Sequence, residues 1–178
     1  MNEHLYENKL PQELMGEWEK RNTLYKKIAQ RVKGSDSVLD LGCSTGYGGK
    51  HLKYSSYYDG VDNAKDPIDF AKANYAKFRT CHYHYCDAEI FMHRCPNRHY
   101  RIVICTDMLH HNLGKERSLL EEMVRVTDRL LFLQMRETQE FRVQDAIDAV
   151  RSKSPKVQYQ ELLHKTDNAD SLIMFSGF

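Results

Sequence analysis

Few prolines, a single tryptophan and no long apolar run set the first limits on this chain: 178 residues hold 4 Pro and 1 Trp. A membrane-spanning helix needs about 20 consecutive apolar residues, and no stretch approaches that. Met1 to Gln12 is polar and mixed in charge, unlike a secretory signal. Charge of one sign is not in excess either, with 26 Lys and Arg against 25 Asp and Glu. No global field therefore draws the chain toward nucleic acid or an anionic membrane. The cysteines at 43, 81, 86, 95 and 105 are odd in number and lack CxxC spacing. Reduced thiols in a cytoplasmic protein are expected rather than a disulfide framework. No internal repeat or low-complexity segment occurs, and the length suits one domain with a real core.

What is present is an alternation of helical and strand patterns. Glu13 to about Val32 reads as an amphipathic helix, with Leu14, Trp18, Leu24, Tyr25, Ile28 and Val32 as candidate buried positions. Gly34-Ser35-Asp36 ends it and leads to a strand at Ser37 to Leu41. A helix-like segment from Tyr47 to about Tyr54 follows. A second strand spans Tyr57 to Val61, and a helix capped by Asp66 begins at Pro67. Arg79 to Cys86 alternates as a third strand, and Arg101 to Cys105 is a buried fourth. Glu116 to Val126 is helical, Leu130 to Leu133 a fifth strand, and Gln139 to about Arg151 a further helix. Val157 to Leu163 and Leu172 to Phe175, joined by a polar turn at Lys165 to Asp170, form a terminal hairpin. Such alternation implies an α/β fold with a parallel sheet and an antiparallel edge feature.

The most informative stretch is Ser37-Val-Leu-Asp-Leu-Gly-Cys-Ser-Thr-Gly-Tyr-Gly48. Strand, glycine-rich turn and helix start follow one another there, an arrangement that cradles a nucleotide at the carboxyl end of a parallel strand. A dinucleotide fingerprint would need glycine where Ser44 and Tyr47 stand. A P-loop would need a hydroxyl residue after Gly49-Lys50, where His51 stands. Neither phosphate-binding loop fits.

The segment resembles motif I of class I S-adenosylmethionine-dependent methyltransferases, with the acid at Asp40, the glycine pattern at Gly42, Ser44 and Gly46, and Ser44 in place of the usual middle glycine. The resemblance spans roughly residues 13 to 178. It implies a Rossmann-like, seven-stranded, mostly parallel sheet with a C-terminal antiparallel hairpin and helices on both faces. It also implies one methyltransferase domain: an arm at 1–12, a helix at 13–33 and a core at 37–178. The implied cosubstrate is S-adenosyl-L-methionine, with S-adenosyl-L-homocysteine as product.

On this resemblance the donor site takes Asp40, Gly42, Cys43, Ser44 and Gly46 from the loop. Asp62, ending the second strand 20 positions after Gly42, has the spacing of a carboxylate that accepts from both ribose hydroxyls, with Asn63 beside it. Asp87 resembles the residue that accepts the adenine amine, and Ala88 would offer its N–H to the ring. Asp40 compensates the cationic amino acid end of the donor through water, and the carbonyl near Cys105 receives its ammonium.

Cys105-Thr-Asp-Met-Leu-His-His-Asn112 resembles the loop that lines the acceptor cleft in small-molecule methyltransferases. Methyl transfer is an in-line displacement in which positioning supplies much of the rate. A hydroxyl acceptor is helped by a base, and histidine suits that role near neutral pH. His110 and His111 are the candidates, with Asp107 as an orienting or cation-binding acid; packing or helix capping is the competing role.

Other constellations carry less. His82, His84 and Cys86 share one strand face without an evident fourth ligand, so no metal is expected. The basic run His93, Arg94, Cys95, Arg98, His99 and Arg101 reads as solvated surface or a contact for a phosphate-bearing acceptor. Tyr6, Trp18 and the N-terminal arm are placed by chain order to cover the cleft. The expected activity is methyl transfer to a small molecule such as a sugar or metabolite. An RNA or protein acceptor and an inactive binding subunit are the alternatives, and either a monomer or a homodimer is compatible with the sequence. DNA amino-methylation and cytosine C5 chemistry are disfavoured, because the segment after the fourth strand is Thr106-Asp-Met-Leu and no Pro-Cys pair occurs.

Overall fold

The computed structural model describes residues 12–75, 77, 78, 80–106, 108–136, 141–163 and 171–178, residues 12–20 by backbone alone. Expectations for Tyr6 and the N-terminal arm, Arg79, Asp107, Gln139 and the turn at Lys165 to Asp170 lie outside the described residues, as do the side chains of Leu14 and Trp18.

Helix α1 (Gln12–Ala29) precedes β1 (Ser37–Leu41), α2 (Tyr47–Leu52), β2 (Tyr57–Asp62), α3 (Lys65–Tyr75), β3 (Cys81–Tyr85), α4 (Ala88–His93) and β4 (Tyr100–Cys105). A single 3-10 turn (Leu109–His111) leads to α5 (Glu116–Val126), β5 (Thr127–Met135), α6 (Val143–Lys153), β6 (Gln158–Leu163) and β7 (Ser171–Ser176). The sheet order is β3-β2-β1-β4-β5-β7-β6. Strands β3 to β5 pair in parallel through β2, β1 and β4, and β7 runs antiparallel between β5 and β6. The expected seven-stranded sheet with its terminal hairpin is present.

Burial explains which strands sit centrally. Val38, Leu39, Asp40 and Leu41 of β1 are all buried, as strands covered on both faces must be. Alternation sends Leu39 and Leu41 to one core, with Val103, Leu120, Met123, Leu131 and Val150 under α4, α5 and α6. Val38 joins the other core, with Ile28, Leu52, Tyr58, Ile68, Ile104 and Phe132 under α1, α2 and α3. Each large side chain so buried contributes roughly 1.5–3 kcal/mol. Asp40 shares the second side, so a carboxylate lies where the pattern otherwise demands a hydrocarbon.

Several boundaries differ from expectation. Helix α3 starts at Lys65, placing Asp66 and Pro67 inside its first turn rather than at its cap. Helix α6 starts at Val143. Strand β5 begins at Thr127, directly off α5. The six-residue α4, capped by Asp87, stands between the third strand and the basic run, where no helix was expected.

Candidate functional site

Strand order reverses between β1 and β4, since β1 leads outward to β2 and β3 while β4 leads to β5. In open α/β sheets the crevice beyond the strands' carboxyl ends at such a point is where ligands bind. A cavity of about 300 Å³ lies there, lined by Gly42, Ser44, Asp62, Asn63, Asp87 and Ala88. Its wall continues through Val61, Cys86, Thr106, Met108, His111 and Asn112, with Arg21 of α1. Sequence reading named the first six and His111. It missed Arg21, whose charge on a helix reads as solvated surface, and Met108 and Asn112, neither of which titrates.

The glycine loop takes its shape from three left-handed residues, Gly42 (φ 74°), Ser44 (φ 49°) and Gly46 (φ 75°). Ser44, the departure from the glycine pattern, pays a conformational penalty of about 1 kcal/mol or more. Its N–H donates to Asp62 Oδ2 at 2.8 Å, which holds the strained turn in place. Asp62 Oδ1 accepts from the Ala64 N–H at 2.9 Å. One carboxylate thus ties the β1 loop to the start of α3. Asp62 lines the cavity, and each of its carboxylate oxygens keeps capacity for a second donor.

Asp87 is an N-cap as well as a strand-end acid. Its Oδ1 accepts from the N–H groups of Glu89 (2.9 Å) and Ile90 (3.1 Å), while the residue itself stays exposed. Asp87 and Ala88 both line the cavity, and the Ala88 N–H, in the first turn of α4, has no intrahelical acceptor.

Asp40 stands behind the loop, fully buried. Its Oδ2 accepts from Tyr25 OH (2.7 Å) and Tyr58 OH (2.6 Å), and Tyr25 OH also meets Thr106 Oγ1 at 3.3 Å. Its Oδ1 has no hydrogen-bond partner. Burial pushes the Asp40 carboxyl up to about 6, against the opposing pull of the two tyrosine hydroxyls and of Arg21. Asp40 does not itself line the cavity, although Thr106, which meets Tyr25, and Arg21 do, so its undonated Oδ1 fits a bridging water toward the cavity.

Four other candidate residues sit outside the cavity wall. Cys43 is buried in the α1–α2–α3 core, where burial and the nearby Asp40 raise its thiol pKa. Gly46 packs against Ala71 and Tyr83. Cys105 is buried in the opposite core. His110 lies against His111, ring centroids 3.9 Å apart, but only His111 lines the cavity. His82, His84 and Cys86 diverge: His82 packs on Tyr57, His84 Nε2 lies 2.6 Å from buried Asp59, and Cys86 turns to the cavity. Among the described residues no group of three or more His, Cys, Asp or Glu is arranged to hold a metal ion. No described helix is long and apolar enough to cross a membrane.

The family model for a methyltransferase domain matches residues 38–129. The fold is similar to that of magnesium protoporphyrin IX methyltransferase from Synechocystis PCC 6803 with bound SAM. That likeness has TM-score 0.73 at 13% identity, over 99% of this chain and 85% of that one. A SAM-dependent methyltransferase from Archaeoglobus fulgidus gives TM-score 0.72 at 13% identity, over 94% of this chain and 100% of that one. The YcgJ protein of Bacillus subtilis gives 0.67 at 14%, over 85% and 97%. No curated protein matches the chain in sequence.

Proposed function

The chain belongs to the methyltransferase-domain family of class I S-adenosylmethionine-dependent enzymes, and we propose that it methylates a hydroxyl or amine of a small acceptor at the open end of the cavity. One observation carries this reading. A single cavity collects the glycine loop, the acids ending β2 and β3, and the His111-Asn112 segment after β4. S-adenosylmethionine supplies an electrophilic methyl group on a sulfonium sulfur. The chain's own residues bind, orient and compensate charge. Asp62 accepts from the ribose hydroxyls with Asn63 beside it. Asp87 Oδ2 and the Ala88 N–H pair with the adenine edge. Asp40, through a water on its undonated Oδ1, and the Cys105 carbonyl answer the ammonium, and Arg21 answers the carboxylate.

The Asp40 pairing makes donor affinity depend on pH, with a sign that follows from its raised pKa. Below about pH 6 the free protein holds Asp40 protonated, and a cationic ligand group has to displace that proton. A cation next to Asp40 lowers its pKa in the complex, so binding releases a proton. Affinity for S-adenosylhomocysteine is expected to be flat above pH 7. It should fall by up to about tenfold per pH unit below 6. Titrations from pH 5 to 8 in buffers of different ionisation heat read both effects; a flat profile with no proton release removes Asp40 from ammonium binding.

His111, on the cavity wall, takes the proton of a hydroxyl acceptor at one ring nitrogen. His111→Ala is expected to lower kcat by roughly 10²–10⁴ with adenosylhomocysteine affinity within about threefold, whereas His110→Ala stays near wild type. Equal turnover in the two variants leaves the pair a packing role. A second reading, an acceptor unit carried on a nucleic acid, is favoured by a separate feature of the surface.

A further inference from the structure

Near-neutral net charge conceals a segregation that the fold makes visible. Residues 20–35, 41–58 and 70–86 contain none of the chain's 25 Asp and Glu but eleven of its 26 Lys and Arg. These segments are the second half of α1, the loop and α2, and the end of α3 with β3; α1 packs on α2, and α2 on α3. Parts of three separate stretches thus meet on one helical layer. The basic run at His93 to Arg101, prominent in the sequence, behaves in the opposite way. His93 pairs with Glu122 and Glu89, Arg98 with Asp128, and Arg101 with Asp36 and Asp128.

Aromatic rings interleave with the cations on the α1–α2–α3 layer. Tyr54, on the turn that closes α2, is 80% exposed. Lys53 Nζ lies 5.3 Å from the Tyr54 ring centre and 5.3 Å from that of Phe78, and Lys77 Nζ lies 5.8 Å from Phe78. His51 reports the local field: burial first, then the charges of Lys50, Lys26 and Lys53, push its pKa down to about 4. His51 is therefore neutral at pH 7, and the lysines supply the charge. Arg21, on the cavity wall, lies five residues before Lys26 on α1, about one and a half turns away. Arg21 therefore projects from a different side of α1 than Lys26 and belongs to the donor cavity rather than to this face.

We propose that this face, centred on Lys26, Lys53 and Tyr54, binds single-stranded nucleic acid, its lysines meeting phosphates and Tyr54 stacking on a base. Charge complementarity selects a polyanion, and the exposed ring beside a lysine selects one with flat bases. A membrane surface fits less well, since insertion calls for exposed aliphatic side chains, and the exposed large side chain at the centre of this face is a tyrosine. The inference rests on the charge and rings of this face and not on the donor site, so the two fail separately.

The test is fluorescence anisotropy of a labelled 12-nucleotide single-stranded RNA, with a DNA of equal length, with full-length protein and no donor. Micromolar binding is expected at low salt, with log affinity falling by about 0.7 per log unit of salt for each phosphate engaged. Lys26→Glu with Lys53→Glu should weaken it at least tenfold, and Tyr54→Ala about fivefold or more without changing the salt slope. Circular dichroism and thermal melts of the same variants, expected at wild-type values, establish that they fold. RNA and DNA affinities within tenfold fit a backbone-and-base reader of either sugar. Absence of binding overturns the proposal. Equal affinity for polyglutamate with no effect of Tyr54→Ala, or binding only to phosphatidylserine vesicles, also overturns it.

Discussion

Asp62→Ala is expected to weaken S-adenosylhomocysteine binding by about a hundredfold or more. Two contributions add in this variant. A ribose that donates two hydroxyl hydrogens to a carboxylate gains about 1.5–3 kcal/mol for each bond to the charged group. The same carboxylate holds the N–H of Ser44, a non-glycine residue at φ 49°, and the N–H of Ala64. Removing it frees the loop to leave its strained conformation, so preorganisation is lost with the contacts. Fold stability should fall less than affinity, because at this half-buried site water replaces the carboxylate on the two freed N–H groups; a melting temperature lowered by a few degrees is expected. Isothermal titration and a thermal melt on one preparation separate the two effects. Unchanged affinity removes Asp62 from the donor site.

Gly48→Ala is the substitution with the largest expected cost to stability. Gly48 lies in the first turn of α2, against the Asp40 network. A Cβ there would run into Asp40 Oδ2, approach the Tyr25 ring to 2.6 Å and lie 2.8 Å from Tyr58 OH. Alanine in a helix is worth about 1 kcal/mol more than glycine, which pulls the other way. The clash wins because none of the three blocking groups has room to give: Asp40, Tyr25 and Tyr58 are at most 1% exposed. Overpacking of this kind costs about 1–3 kcal/mol, and displacing two hydroxyls from a buried carboxylate adds to it. A net loss of about 3 kcal/mol, or roughly 6–12 °C in Tm, follows for a chain of this size. Donor affinity should fall with it, since Asp40 is the group disturbed. A melting temperature equal to or above the wild type would mean that α2 shifts freely, and the rigid network would have to be given up.

The legible parts of the fold were those written in continuous hydrophobic pattern. Helix α5 matches its expected limits because Leu119, Leu120, Met123 and Val126 mark one face over three turns. Strand β5 is longer than its apolar run because Asp128 and Arg129 enter the sheet as ion-paired residues, Asp128 with Arg98 and Arg101, Arg129 with Asp36. No local pattern announces such partners. Helix α4 is too short to show a period, and its clearest signal was the cap at Asp87, which the adenine role had already claimed. At the site, Asp62, Asp87 and the loop were readable because strand ends and spacing fix them. Arg21 was not, because the approach of α1 to the cavity is a tertiary fact carried by Tyr25 and Asp40. The basic face escaped for a related reason: net charge sums over the chain, whereas a surface sums over what the fold brings together.

Calorimetric titration with S-adenosylhomocysteine, with NAD and ATP as controls, tests the central claim most directly. One-site micromolar binding of adenosylhomocysteine, with no heat from the other two nucleotides, is the predicted result. Absence of binding, or equal binding of NAD, would contradict a donor site built from Asp40, Asp62 and Asp87.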